Sequence, residues 1–253
     1  MIQPRHMAKG TGAMVNVGMM GEVPAGKLPV LITFMEMAKR PDGTARPMPE
    51  GVHGPVLARH CTLAYYRFLY DTIGEPWLWE IRRRMDQGEL ARMLADPQVE
   101  VHVIHVDGMP AGFVELDWRL LPADGTVAID YLGLMPWAIG RGLGSWLLDW
   151  AVRRVWERPR VRRLTINTCS FDHPAALPLY QRAGFRRLRQ ERKFVDDPRR
   201  TGVLPLGAAP HIPLARPAPP APPLAPATPD GAPSQAGDPS RRPMAFRPTA
   251  GSP

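Results

Sequence analysis

The chain of 253 residues predicts an α/β domain between Leu28 and Leu214, on three observations. Apolar periodicity along this span changes repeatedly between two and 3.6 residues, as strands and helices require. A strong strand–turn–strand signal stands near its middle. The 31 prolines are distributed unevenly, with roughly half of them after Leu204, so the C-terminal stretch needs a separate account.

The flanks are read first. The opening 27 residues are rich in Met and Gly and lack the apolar run of a signal peptide or membrane span. Residues 1–27 are therefore expected to be a flexible leader. From Ala215 to Pro253 no periodic apolar pattern offsets the entropy of backbone ordering, so residues 215–253 are expected to form a disordered Pro/Ala-rich tail, partly polyproline-like. Cys61 and Cys169 are the only cysteines. With no Cys/His cluster, the expectations are no disulfide framework, no metal, no membrane association and a cytoplasmic location.

Within the domain, Leu28 to Met37 (LPVLITFMEM) reads as a first strand. The Pro/Gly-rich stretch that follows reads as a link. Thr62 to Gly74 (TLAYYRFLYDTIG) and Pro76 to Met85 (PWLWEIRRRM) read as aromatic-rich helices, broken at Gly74 and Pro76. Asp86, followed three residues later by Glu89, is a capping-box pattern ahead of another short helix. Val99 to Trp118 holds two alternating apolar runs joined at Asp107-Gly108, the strongest hairpin signal in the chain. His102 and His105 are three apart on the first of these strands, so they point to opposite faces and cannot share a metal.

Thr126 to Pro136 (TVAIDYLGLMP) is a fourth strand that runs into a glycine turn. The helix after it, from about Gly142 to Glu157, places Leu143, Leu147, Trp150 and Ala151 on one stripe. Val161 to Ser170 is a fifth strand, His173 to Gly184 a short helix ended by its glycine, and Phe185 to Phe194 a sixth strand.

Net charge is +8, carried mostly by arginine because only four residues are lysine. Arg182 to Arg200 holds eight basic residues against Glu191, Asp196 and Asp197, or +5. A solvated edge strand with its loop accounts for this better than a polyanion groove, and no nucleic-acid partner is expected: aromatic-interleaved basic motifs are absent.

The glycine turn, Ile139 to Trp150 (IGRGLGSWLLDW), carries the chemistry. Glycines at 140, 142 and 144 open a helix whose first N–H groups and dipole suit an anion. A Walker loop is excluded because Ser145 and Trp146 follow Gly144 with no lysine. A Rossmann turn is disfavoured because Leu147 stands where its third glycine belongs and a hairpin precedes the turn. What remains is a pyrophosphate held by backbone N–H groups without metal.

That logic, with two motifs, resembles the GNAT N-acetyltransferases over roughly Leu28 to Leu214. The turn is similar to the family's Q/R-x-x-G-x-G/A loop, with Ile139 in place of the polar first residue. Asp172 to Phe185 (DHPAALPLYQRAGF) is similar to its N-x-x-A-x-x-L-Y-x-x-x-G-F segment, with His173 in place of Asn. The resemblance implies a mixed, mostly antiparallel central sheet flanked by helices on both faces, and acetyl-CoA as cosubstrate. Its implied binding groups are the loop residues Ile139, Gly140, Arg141, Gly142, Leu143, Gly144 and Ser145, and backbone at Leu132, Gly133 and Leu134, where Gly133 suggests a local bulge.

The resemblance makes Tyr180 the general acid, although a tyrosine at a helix end can simply cap a core. His173 either donates to coenzyme A or merely starts the helix before Pro174. Asp130, on the same side of its strand as Leu132 by alternation, and Glu115 on the neighbouring strand are the base candidates. They can equally bind a cationic acceptor or be hydrogen-bonded strand residues, with water deprotonating the amine. The acceptor wall implied by the family falls on the early helices, with Tyr65, Tyr66, Phe68, Tyr70, Trp77 and Trp79 shared between wall and core. The leading expectation is acetyl transfer to a primary amine of a small molecule or peptide, by a monomer or homodimer. The alternative is a catalytically silent coenzyme A-binding sensor or structural protein.

Overall fold

The computed structural model describes residues 22–217. Most of the expected leader and tail, residues 1–21 and 218–253, lies outside the described residues. Strands are β1 (Lys27–Met37), β2 (Val52–Leu57), β3 (Val99–Val106), β4 (Met109–Asp117), β5 (Thr126–Leu134), β6 (Arg163–Cys169) and β7 (Arg186–Asp196). Helices are α1 (Leu63–Gly74), α2 (Ile81–Arg84), α3 (Gln87–Ala95), α4 (Leu121–Asp124), α5 (Leu143–Trp156) and α6 (Ala176–Arg182). The sheet order is β2-β3-β4-β5-β6-β1-β7. Its one parallel pair is β5 with β6, joined by the α5 crossover.

Local chemistry accounts for these elements. Thr62 caps α1 by accepting from the Tyr65 N–H at 3.2 Å, and Tyr66, Leu69, Tyr70 and Ile73 bury one stripe. Asp86 caps α3, accepting from the N–H groups of Gly88 (2.8 Å) and Glu89 (3.1 Å). Asp107 and Gly108 both have positive φ, 51° and 78°, as a type I′ hairpin requires. Leu143, Leu147 and Ala151 of the expected α5 stripe are buried, and Trp150, its fourth residue, is half-buried against the core. Helices cover both faces: Glu115 and Tyr131 meet Tyr66 and Tyr70 of α1, whereas Glu100 and His102 meet Arg154 and Trp150 of α5.

Two elements differ from expectation. The link contains β2, an edge strand interrupted by Gly54-Pro55 with a register break between His53 and Val56. A proline inside a short run argues against a strand, and only an edge position tolerates it. Pro76 to Met85 is not a helix but a 3-10 turn (Glu75–Trp77), a left-handed Leu78 (φ 55°) and the single turn of α2. The left-handed residue reverses the chain so that Trp79 packs on Gly74, where a Cβ would stand 2.5 Å from the indole side chain.

The basic stretch forms the edge strand β7, exposed along most of its length. Arg189 lies over the Phe34 ring at 3.7 Å and pairs with Glu191, as does Lys193 at 2.7 Å. Gly26 donates to the Arg216 carbonyl at 2.7 Å, and Ala215 is buried with its N–H on Asp197 at 3.0 Å.

Candidate active site

The site begins at an irregularity in β5. Glu115 pairs with Tyr131 and Leu116 with Ile129, which leaves Asp130 as the extra residue of a β-bulge. Gly133, the position expected to bulge, instead pairs regularly with Phe113. Its lack of a side chain serves close packing, since a Cβ there would stand 2.4 Å from Ile73. Pairing of β5 with β6 stops at Ile129 with Ile166. Beyond the bulge the two parallel strands separate, and the β6-facing edge of Leu132–Leu134 has no strand partner.

A cleft of about 410 Å³ opens at this separation. Leu132, Gly133 and Leu134 form its floor, and Ile139, Gly140, Gly142, Gly144 and Ser145 one rim. Ala175, Ala176, Leu179, Tyr180 and Arg182 line it from α6 and the turn before it. Ile73, Trp77 and Trp79 close the end near α1, beside Asp172 and His173.

The glycine rim is suited to an anionic group. Gly142 caps α5 with no side-chain hydrogen bond, so the first N–H groups of the helix lack partners within it. Gly140 and Gly142 have φ of 83° and 76°, and a Cβ on either would meet nothing within 4 Å. The Ser145 hydroxyl donates to the Gly142 carbonyl at 2.8 Å. Leu143 is buried and does not line the cleft. Arg141 does not line the cleft; its guanidinium lies over the Trp137 ring at 5.7 Å.

Tyr180 is almost fully buried at the cleft wall. Burial, then the nearby Asp172 and Cys169, raises its pKa well above that of a free phenol, so the hydroxyl keeps its proton. His173 also lines the cleft. Its Nδ1 accepts from the Ala175 N–H at 3.1 Å, as the helix-start reading expects. Asp172, the first residue of the DHPAALPLYQRAGF segment, also lines the cleft, which no motif position signals. Its carboxylate accepts from Trp79 Nε1 (3.3 Å), Thr168 Oγ1 (2.8 Å) and the Cys169 N–H (2.8 Å).

Asp130 and Glu115 are brought together, but away from the cleft. They flank the buried Arg82, whose Nη2 donates to Glu115 Oε1 at 2.5 Å and Asp130 Oδ2 at 3.4 Å. Tyr66 donates to the other Glu115 oxygen at 2.5 Å. The bulge removes Asp130 from the alternation that aligned it with Leu132: Asp130 and Tyr131 both reach Arg82, whose guanidinium lies 5.2 Å from the Tyr131 ring centre. Burial by itself lowers the Arg82 pKa, but Glu115 first, then Tyr66, Tyr131 and Asp130, outweigh it and raise it. Asp130 is pushed up to about 7, by burial and then by Glu115, against the opposing pull of Arg82. Of the six aromatics assigned to wall or core, Trp77 and Trp79 line the cleft, Tyr66 and Tyr70 are core, Tyr65 is half-buried against that core, and Phe68 is exposed.

Comparison with known proteins bears on this geometry. Residues 64–185 match the sequence profile of the Acetyltransferase (GNAT) family. No curated protein matches the chain. Among solved structures, a GCN5-related N-acetyltransferase from Sphaerobacter thermophilus shares 22% identity over 67% of this chain and 53% of its own, with a TM-score of 0.46. One from Kribbella flavida shares 17% identity over 68% of this chain and 60% of its own, also at 0.46. The chain thus spans somewhat over half the length of these relatives.

Proposed function

We propose that the chain, whose residues 64–185 match the Acetyltransferase (GNAT) family, is an N-acetyltransferase that moves the acetyl group of acetyl-CoA to a primary amine of a small molecule or peptide. The family in general uses acetyl-CoA as cosubstrate, for acceptors from small molecules to peptides. The observation that carries the reading is a convergence: the unpartnered edge at Leu132–Leu134, the open N-terminus of α5 and the Tyr180 side chain all line one cleft.

The residues present fit the cosubstrate. The glycine rim leaves the space a Cβ would fill and offers backbone N–H groups to a pyrophosphate. Leu132–Leu134 offer backbone donors and acceptors to an amide-bearing arm. Acetyl-CoA supplies a thioester, an acyl group on a good leaving group. The chain contributes orientation and a proton. The strand edge holds the acyl oxygen and polarises its carbonyl, and Tyr180, kept protonated by burial, donates to the departing sulfur. Asp130 and Glu115 are turned to Arg82, so direct proton abstraction by either is not part of this reading. The amine loses its proton through water, the route left open by the sequence.

Thiol release from acetyl-CoA with a broad amine library tests the proposal. Replacing Tyr180 by Phe should lower kcat by about a hundredfold while acetyl-CoA affinity stays within about twofold, because the lost contact acts in the transition state. Reduced affinity with full turnover would make Tyr180 a binding residue. Acetyl-CoA binding without acetylation of any amine would favour the sensor reading.

A further inference from the structure

We propose, building on the N-acetyltransferase reading, that the acceptor carries a single positive charge on a flat apolar body, and that Trp77 selects it, held in place by the segment following β7. The first observation is the charge inventory of the cleft. Among the described residues, Asp172 is the only carboxylate that lines it, because Glu115 and Asp130 are turned to Arg82. A polyamine or aminoglycoside brings several ammonium groups, each needing a partner or continued hydration. Arg182, which also lines the cleft, would repel them.

The second observation is the shape of the closed end. Ile73, Trp77 and Trp79 make it apolar, and Trp79 donates its Nε1–H to Asp172. The flat surface and the carboxylate are therefore contiguous, matching an amine on a short arm beside a ring.

The third observation is how Trp77 is held. Its ring meets those of His173 and His211 edge-on, at centroid distances of 5.1 and 5.3 Å. His211 belongs to a segment beyond the family match at 64–185. That segment is organised by buried Arg199, which pairs with Asp197 and donates to the carbonyls of Ala208, Ala209, Ile212 and Pro213. Leu204, Ala208 and Ala209 pack with Leu78, the residue after Trp77. Leu78 and Ala209 have positive φ, 55° and 48°. Such conformations persist in non-glycine residues only where the surroundings over-determine them. His211 is thus a positioning residue for Trp77.

The experiment compares 2-phenylethylamine, spermidine and kanamycin as acceptors, reading thiol release from acetyl-CoA. Wild type should favour 2-phenylethylamine by about tenfold or more in kcat/KM. Trp77→Ala should raise its KM by about tenfold, with kcat and the calorimetric acetyl-CoA Kd little changed. His211→Ala should raise KM less, and His211→Phe, which keeps a ring against the indole, should restore it. Preference for spermidine or kanamycin, or an unchanged KM in Trp77→Ala, would overturn the proposal. If no amine releases thiol, calorimetry of 2-phenylethylamine against the coenzyme A complex decides. Binding that Trp77→Ala abolishes supports the site while the acetyltransferase reading falls; no binding overturns the site. Absence of heat with acetyl-CoA itself would mark failure of the parent reading.

Discussion

Replacement of Arg82 by Met tests the electrostatic design beneath the cleft. Met approximates the volume but removes the guanidinium that Glu115 and Asp130 share, together with its Nε–H to the Tyr66 hydroxyl at 3.2 Å. Glu115 is fully buried and Asp130 nearly so, so neither carboxylate can turn to water. Breaking a buried pair on one side costs about 3–5 kcal/mol, because the remaining charge is desolvated without compensation. For a domain of this size, that corresponds to a Tm lower by about 6–20 °C. The deficit depends on pH in a definite direction. Without Arg82 the folded-state pKa of Asp130, already pushed up to about 7, rises further above its unfolded value. The loss should therefore be small near pH 4, grow as pH rises through that folded pKa, and be complete above it. Urea unfolding at pH 5 and pH 8 measures it, and Arg82→Met combined with Glu115→Gln and Asp130→Asn should recover much of the loss at pH 8. A loss below about 1 kcal/mol at pH 8, or an equal loss at both pH values, would refute the reasoning.

Three further outcomes are expected. In the wild type, Asp130 has a folded pKa of about 7, above the ordinary value of 3.8, so its contribution should weaken stability as pH rises from 4 through 7, by at most about 4 kcal/mol; Asp130→Asn should flatten this slope in urea titrations, and an unchanged slope would assign it elsewhere. Gly144→Ala places a methyl in ordinary contact with Leu134 (3.6 Å) and Leu179 (4.0 Å), so Tm should hold or rise by helix propensity while acetyl-CoA affinity falls about tenfold or more in calorimetry. Retained affinity would place the pyrophosphate elsewhere. Removal of residues 218–253 should leave chemical stability within about 1 kcal/mol because their composition offers little to bury, whereas a cut after Leu214 also removes the Ala215 and Arg216 hydrogen bonds and should cost about 1–3 kcal/mol; equal stabilities of the two truncations would contradict this.

The parts of this molecule legible in the sequence are those set by neighbouring residues. Asp107-Gly108 determines its turn because only residues tolerant of positive φ close a two-residue hairpin. Asp86 caps α3 through N–H groups two and three residues away, and the alternate glycines ahead of α5 leave a helix N-terminus open wherever the helix lands. These local rules, with the resemblance around Tyr180, point to residues of which most, though not Arg141 or Leu143, line the cleft. Tertiary structure alone decided the rest. Arg82, Arg83 and Arg84 are successive and locally alike, yet only Arg82 is buried between two carboxylates, because the short turn of α2 directs it under α1. The bulge at Asp130 arises from register against β4, a contact between strands, and one extra residue there turned the base candidate away from the ligand space. Trp77 and Asp172 meet the same cleft from segments far apart in the chain. Side-chain direction after a bulge and burial of one charge among several depend on contacts distant in sequence, which no local pattern encodes.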